Sequence, residues 1–335
     1  MERVLVTGGA GYVGSALVPA LLKAGYRVRV LDLYIFGPRA LQPVAGHPNL
    51  EQIKGDIRER DLLKVALRDC RAVIHLAAIS NDPSFELNPL LGRTINFDAF
   101  EPLVKIARAS GVRRFIYAST SSVYGLSDRT EVTEEHPLVP LTDYNKYKGL
   151  CEPILLREQA PDFTTIVVRP ATVCGYAPRQ RLDLTVNILT AHAHELRRIT
   201  VLGGAQMRPN IHIRDLVELY LLLLRLPAAR VAGQIYNAGW QNHTVAELAR
   251  TVSEVVSARV PGRGAIEIVT APSDDRRSYH ISSNKLAREL DFVPSATVAD
   301  AVNDLVAAFA AGKLPNALHD QRYYNVATML QAGLR

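Results

Sequence analysis

Of the 335 residues only three are cysteines, Cys70, Cys151 and Cys174, scattered and odd in number. That excludes a disulfide framework and fits a reducing compartment. No Cys/His spacing suits a metal, and none is expected. No apolar run approaches the roughly 20 residues of a membrane helix, and glycine punctuation from Gly8 onward argues against a signal peptide. A soluble cytoplasmic chain with no membrane partner is expected. Lysine and arginine outnumber acidic residues, giving a net charge of +6, yet they are dispersed, with no basic run or interleaved aromatics. Nucleic acid is therefore not expected, and the excess is read as serving anionic ligands. Repeats, low-complexity tracts and long linkers are also absent. With 48% hydrophobic and 21% charged residues, the chain is long enough to bury a core in two lobes.

Apolar strands near Val4, Val28, Ile53, Val73, Phe115 and Ile166 are separated by helical stretches. This alternation predicts an α/β fold with a doubly wound parallel sheet. The first strand runs into Gly8, Gly11 and Gly14 and then an apolar helix from Ser15 to Ala24. Glycines there let the backbone approach a pyrophosphate, whose charge the helix N-terminus favours. The second strand ends in Asp32, about 20 residues on, placed to accept from an adenosine ribose hydroxyl, which argues for NAD over NADP. Arg39 is read as a surface arginine rather than a 2′-phosphate ligand. Gly55-Asp56 reads as a strand-end turn with a helix cap. In Ala72–Ala78, small residues permit close approach of a ligand, and His75 reads as a packed core histidine.

Tyr144 and Lys148 stand four apart, one helical turn, so they share a face. A free tyrosine has a pKa of about 10; a lysine ammonium beside it favours the phenolate and makes it a useful general base. Thr120, in Phe115-Ile-Tyr-Ala-Ser-Thr-Ser-Ser-Val-Tyr-Gly125, supplies a hydroxyl to hold the reacting oxygen. The three together suit removal of a proton from a sugar alcohol while a nicotinamide takes the hydride.

Thr7–Gly14, Asp32, Gly55-Asp56, His75–Ala78, Ile95-Asn96, Ser119–Gly125 and Tyr144–Lys148 together resemble the extended short-chain dehydrogenase/reductase superfamily, in its NAD-dependent nucleotide-sugar epimerase/dehydratase branch. The resemblance implies a Rossmann fold with a smaller, discontinuous α/β substrate domain. The NAD-binding part would comprise 1–175 plus about 213–243, with Gln234–Gly239 as a returning strand, and the substrate part about 176–212 plus 244–335. It also implies that Gly8, Gly11, Tyr12, Val13 and Gly14 cradle the pyrophosphate, Asp32 binds the ribose, and Asp56 and Ile57 flank the adenine. Leu76, Ala77, Ala78 and Ser119 would line the cofactor path, Asn96 would be the family's structural asparagine, and Pro170 and Val173 would position the nicotinamide. Thr120, Tyr144 and Lys148 take the catalytic roles.

For the substrate, a nucleotide-diphosphate sugar, the resemblance places Ser80, Asn81, Thr120 and Thr172 at the sugar and Asn187, Arg208 and Arg276 at the nucleotide diphosphate. Sugar 4,6-dehydratases follow the threonine with an Asp-Glu pair. Ser121 and Ser122 stand there instead, so elimination lacks its acid and base. A C4 epimerase is expected, acting in carbohydrate metabolism. A hexose or heptose 4-dehydrogenase or reductase remains the alternative, since Pro178–Asn187 and Asp275–Asn284 are similar to nucleotide-heptose 4-dehydrogenases. A non-catalytic NAD-binding regulator is a further alternative, disfavoured by the retained Tyr144 and Lys148. Relatives pair through a four-helix bundle that includes the tyrosine-bearing helix, so a homodimer is expected.

Overall fold

The computed structural model describes residues 1–335 except Asp128, Thr130, 274–277, Tyr279 and Arg335. The strands are β1 (Arg3–Thr7), β2 (Arg27–Asp32), β3 (Leu50–Lys54), β4 (Ala72–His75), β5 (Arg114–Ala118), β6 (Thr164–Pro170), β7 (Thr172–Cys174), β8 (Arg198–Leu202), β9 (Met207–His212), β10 (Gln234–Ala238), β11 (Gln241–Thr244) and β12 (Glu267–Ala271). Seven form one sheet in the order β10-β6-β5-β4-β1-β2-β3. Every neighbouring pair is parallel. The chain order reverses between β1 and β4, which opens a crevice beyond their carboxyl ends.

Both faces of this sheet are covered, which is why its inner strands are near-continuous runs of Val, Ile and Leu. The period of two sorts their side chains. Val4, Val6, Ile74 and Ile116 enter one core, shared with the helices Tyr12–Lys23 and Ile213–Arg225. Leu5, Val73, Phe115 and Tyr117 enter the other, with Leu63, Leu103 and Leu155 from the helices Arg60–Leu67, Phe100–Ala109 and Asp143–Arg157. His75 is buried there beside Tyr117 at a ring separation of 5.8 Å. Its Nδ1 lies 2.7 Å from Thr7 Oγ1, and burial, then the charge of Lys148, lowers its pKa to about 3. It is a core histidine.

The smaller lobe holds two sheets, β11-β9-β7 and β12-β8. Its core joins β8 to the helices Thr185–Leu196, Val245–Arg259 and Val298–Ala310. Reciprocal capping boxes, Thr244 with Glu247 and Thr297 with Asp300, start the last two helices.

The packing departs from the expected division at four places. β7, and β11 up to His243, fall within the range expected of the larger lobe but pair with β9. Residues of the helix Asn284–Leu290 join the β1 core, and Met329 of the final helix, Asn325–Gln331, joins the other core of the large sheet. All three cysteines are buried and free. Among the described residues no helix is long and apolar enough to cross a membrane.

Candidate active site

At the end of β1 the chain turns through Gly8, whose φ of +73° favours glycine. A Cβ at Gly8 would lie 2.6 Å from Ala77 N, and one at Gly14 would lie 2.5 Å from Gly9 O. Only glycine lets the loop lie this close to β4 and to itself. The helix Tyr12–Lys23 follows, capped by Gly11 without a side-chain bond, so its first N–H groups are available to an anion. Asp32 ties this loop to β2. Its Oδ2 accepts from Ala10 N at 2.9 Å and its Oδ1 from Tyr34 N at 2.7 Å. Burial raises its pKa against these two bonds and the attraction of Arg179. A carboxylate has about four acceptor positions, so capacity for a ribose hydroxyl remains.

The helix Asp143–Arg157 begins at Thr142, whose hydroxyl accepts from Asn145 N at 3.3 Å and donates to Asp82 at 2.5 Å. That cap places Tyr144 in the first turn and Lys148 one turn on. The Lys148 ammonium donates to Ala118 O at the end of β5 and lies 4.5 Å from the Tyr117 ring centroid. Burial lowers its pKa to about 8, opposed by Cys151 and Glu152. Thr120 follows β5 and caps the turn Ser121–Tyr124, accepting from Ser122 N at 3.2 Å. Thr120, Ser121, Ser122, Tyr144 and Lys148 all line one cavity of about 420 Å³.

The same cavity is lined by Gly8, Gly11, Tyr12, Val13, Gly14 and Asp32; by Asp56 and Ile57; by Leu76, Ala77, Ala78, Ser80 and Asn81; and by Ser119, Pro170, Thr172, Val173 and Arg208. Some of these also have internal partners. Asp56 pairs with Arg58 at 2.6 Å, and Asn81 caps the helix Asp82–Glu86 by accepting from Ser84 N at 3.0 Å. Tyr12 donates to Gly175 O at 2.6 Å.

Asn96 and Asn187 stand behind the cavity wall. Asn96 brackets Ile79, accepting from its N–H at 2.8 Å and donating to its carbonyl at 2.9 Å, so it fixes the chain just after Ala78. Asn187, expected at the substrate diphosphate, has its side-chain amide engaged within the fold. Its side chain is fully buried; it donates to Tyr12 Oη at 3.1 Å and Arg181 O at 2.9 Å and accepts from Gly175 N at 3.1 Å. Its amide anchors the loop after β7 to the glycine helix. Arg276 lies outside the described residues.

Two groups are not singled out residue by residue in the sequence, although the resemblance places the segment Arg179–Asn187 in a nucleotide-diphosphate clamp. Glu152, one turn beyond Lys148, accepts from Ser119 Oγ at 2.5 Å and from Arg169 at 3.0 and 2.6 Å. Arg169 also donates to Tyr124 Oη at 2.6 Å, and Tyr124 donates to Asn237 at 2.7 Å. The available signal was a glutamate on the face of Tyr144 and Lys148. The second group is Arg179, Arg181 and Asp183, which line the cavity together with Asn325. Arg181 Nε donates to Asp183 at 2.8 Å. The Arg179 guanidinium lies 3.7 Å from the Phe36 ring centroid, and burial, then repulsion from Arg181, lowers its pKa to about 9. Arg179 Nε and Arg181 Nη2 are buried without a partner among the described residues. Two such guanidinium atoms and a glycine cradle fit a ligand carrying a diphosphate.

The sequence pattern of the NAD dependent epimerase/dehydratase family matches residues 4–239. The chain belongs to this family. A UDP-glucose 4-epimerase of Azospirillum brasilense is 30% identical over 280 residues, 77% of this chain and 79% of the relative. A dTDP-glucose 4,6-dehydratase of Streptomyces niveus is 29% identical over 324 residues, 91% of each. The solved dTDP-glucose 4,6-dehydratase DesIV of Streptomyces venezuelae, with NAD bound, is 26% identical with a TM-score of 0.82, over 96% of this chain and 100% of that one. As a member of the NAD dependent epimerase/dehydratase family the chain is an enzyme, and NAD is its cofactor. The glycine cradle, Asp32 and the two arginines fit this group and would hold it; when bound, NAD supplies the acceptor and donor of a hydride.

Proposed function

We propose that this enzyme is a nucleotide-sugar 4-epimerase. The observation that carries the reading is that Thr120, Tyr144 and Lys148 line one cavity while Ser121 and Ser122, lining it beside them, have no ionisable side chain for eliminating water. Tyr144 takes the proton of the C4 hydroxyl as the C4 hydrogen leaves as hydride, Thr120 hydrogen-bonds the oxygen, and the Lys148 ammonium favours the phenolate. The 4-keto sugar turns over, the hydride returns to its other face, and Tyr144 gives the proton back. Charge and redox state are restored at each turnover. Arg208 pairs with the sugar's diphosphate, and Ser80, Asn81 and Thr172 face the sugar. The solved MoeE5, 25% identical with a TM-score of 0.78 over 93% of this chain, is in complex with UDP-glucose and NAD, which supports a nucleotide-diphosphate sugar as substrate. We read the enzyme as a cytoplasmic homodimer paired through the helices Phe100–Ala109 and Asp143–Arg157, on which Leu150 is exposed.

The test is mass spectrometry with ion-pair chromatography on a panel of nucleotide sugars. A product of unchanged mass and new retention supports the epimerase. Loss of two hydrogens with NADH release makes the enzyme a dehydrogenase, and loss of water a dehydratase.

A further inference from the structure

The final helix, Asn325–Gln331, packs against Asp82–Glu86, and Asn325, Met329 and Leu334 line the cavity. Asn325 is 3% exposed and joins two separate walls. Its backbone N–H donates to Asp183 Oδ2 at 2.9 Å, its Nδ2 donates to Ser80 Oγ at 3.0 Å, and its Oδ1 accepts from Arg179. The turn before it is fixed to the same loop, since Leu182 N donates to Tyr323 O at 2.9 Å. Met329 packs in the apolar cluster of Ile57 and Ile79, with Leu334 and Ile35 against it. Arg179 lies between this segment and the glycine helix: its N–H donates to Ser15 Oγ at 3.1 Å, and its guanidinium covers Phe36, just past Asp32.

We propose that the segment 320–334 is a latch over the adenosine-diphosphate half of NAD, with Asn325 as the positioning residue that holds Arg179 across the cofactor diphosphate. A buried guanidinium needs hydrogen bonds to offset its desolvation. Asn325 supplies one from a fixed direction, which leaves Arg179 Nε, buried and without a partner among the described residues, for a diphosphate oxygen. Release of NAD then requires the bonds from Asn325 to Ser80 and Arg179 to break together. A latch of this kind suits the proposed epimerase, whose hydride returns to its own substrate so that NAD need not exchange; to that extent the inference rests on that reading.

The test is the release rate of radiolabelled NAD from the full-length holoenzyme, chased with unlabelled NAD and without any sugar. This keeps its outcome separate from that of the sugar panel. Asn325→Leu is expected to speed release by about 10- to 100-fold, as for loss of a hydrogen bond to a charged group. Arg179→Met is expected to do the same, and the double variant to be no faster than Arg179→Met alone, because the two residues act as a unit. Asn325→Asp keeps an acceptor for Arg179 and is expected to restore most of the retention; it also provides the reading should Asn325→Leu fail to fold. Release within twofold of the parent in Asn325→Leu, additive effects in the double variant, or an Asn325→Asp variant that loses NAD as fast as Arg179→Met would overturn the latch.

Discussion

Arg169 on β6 and Glu152 on the helix Asp143–Arg157 form an ion pair of 2.6 Å, each side chain 3% exposed. Glu152 also accepts from Ser119 beside the cavity. The pair thus ties the helix that carries Tyr144 and Lys148, the end of β5 and β6 into one unit. Removing one partner leaves the other charge buried and unpaired, so Glu152→Ala should lower stability by about 3–5 kcal/mol. Chemical denaturation at neutral pH measures this directly, and a loss below about 1 kcal/mol would show that the pair is not needed.

Tyr144→Phe removes the proposed proton acceptor but keeps the ring that packs 6.4 Å from Phe85. Turnover should fall by about 10²- to 10⁴-fold, while NAD remains bound. Single-turnover kinetics beside a cofactor-occupancy assay separate the two; near-normal turnover would remove Tyr144 as the base.

Asp32→Asn keeps an oxygen for the Ala10 or Tyr34 N–H but loses the charge and one acceptor. Affinity for NAD should fall by about tenfold, the cost of roughly one hydrogen bond to a charged group, and affinity for NADP should fall less. Calorimetric titration of the variant with both cofactors checks the ratio, and an unchanged preference would contradict the ribose assignment.

His75 carries a pH dependence. Its folded pKa of about 3 lies below the ordinary value of 6.5, so between these values the unfolded chain binds a proton that the folded one refuses. Stability is complete above the unfolded value and is lost as pH falls through 6.5 toward 3, by about 1 kcal/mol between pH 7 and 5.5. His75→Gln should flatten that acid limb. Urea unfolding at several pH values measures the slope in both proteins, and parallel slopes would exclude His75 as its source.

The sequence was most legible where one chemical need leaves few alternatives. Runs such as Val4-Leu5-Val6 and Val28 to Leu31 could only be strands buried on both faces, and Gly8 and Gly14 occupy places where any Cβ collides with backbone. Tyr144 and Lys148 were legible because one helical turn fixes their common face. Polar residues serving another part of the chain were not. Asn187 looks the same whether its amide meets a diphosphate or Tyr12 and Gly175, and only the fold shows the second. Arg179 and Asn325 lie 146 positions apart, beyond any local periodicity. The short strands β7 and β11 were missed because three or four mixed residues carry no periodic signal, and their pairing with β9 arises from tertiary contact.

In the proposed reaction hydride leaves C4 and returns to C4 within one site. Its most direct test is incubation of the substrate found in the sugar panel, carrying deuterium at C4, with NMR and mass analysis of the product. The account predicts an inverted C4 that keeps its deuterium, with none in free NADH and none at C6. Deuterium delivered to C6 with loss of water, or carried away on released cofactor, would contradict it.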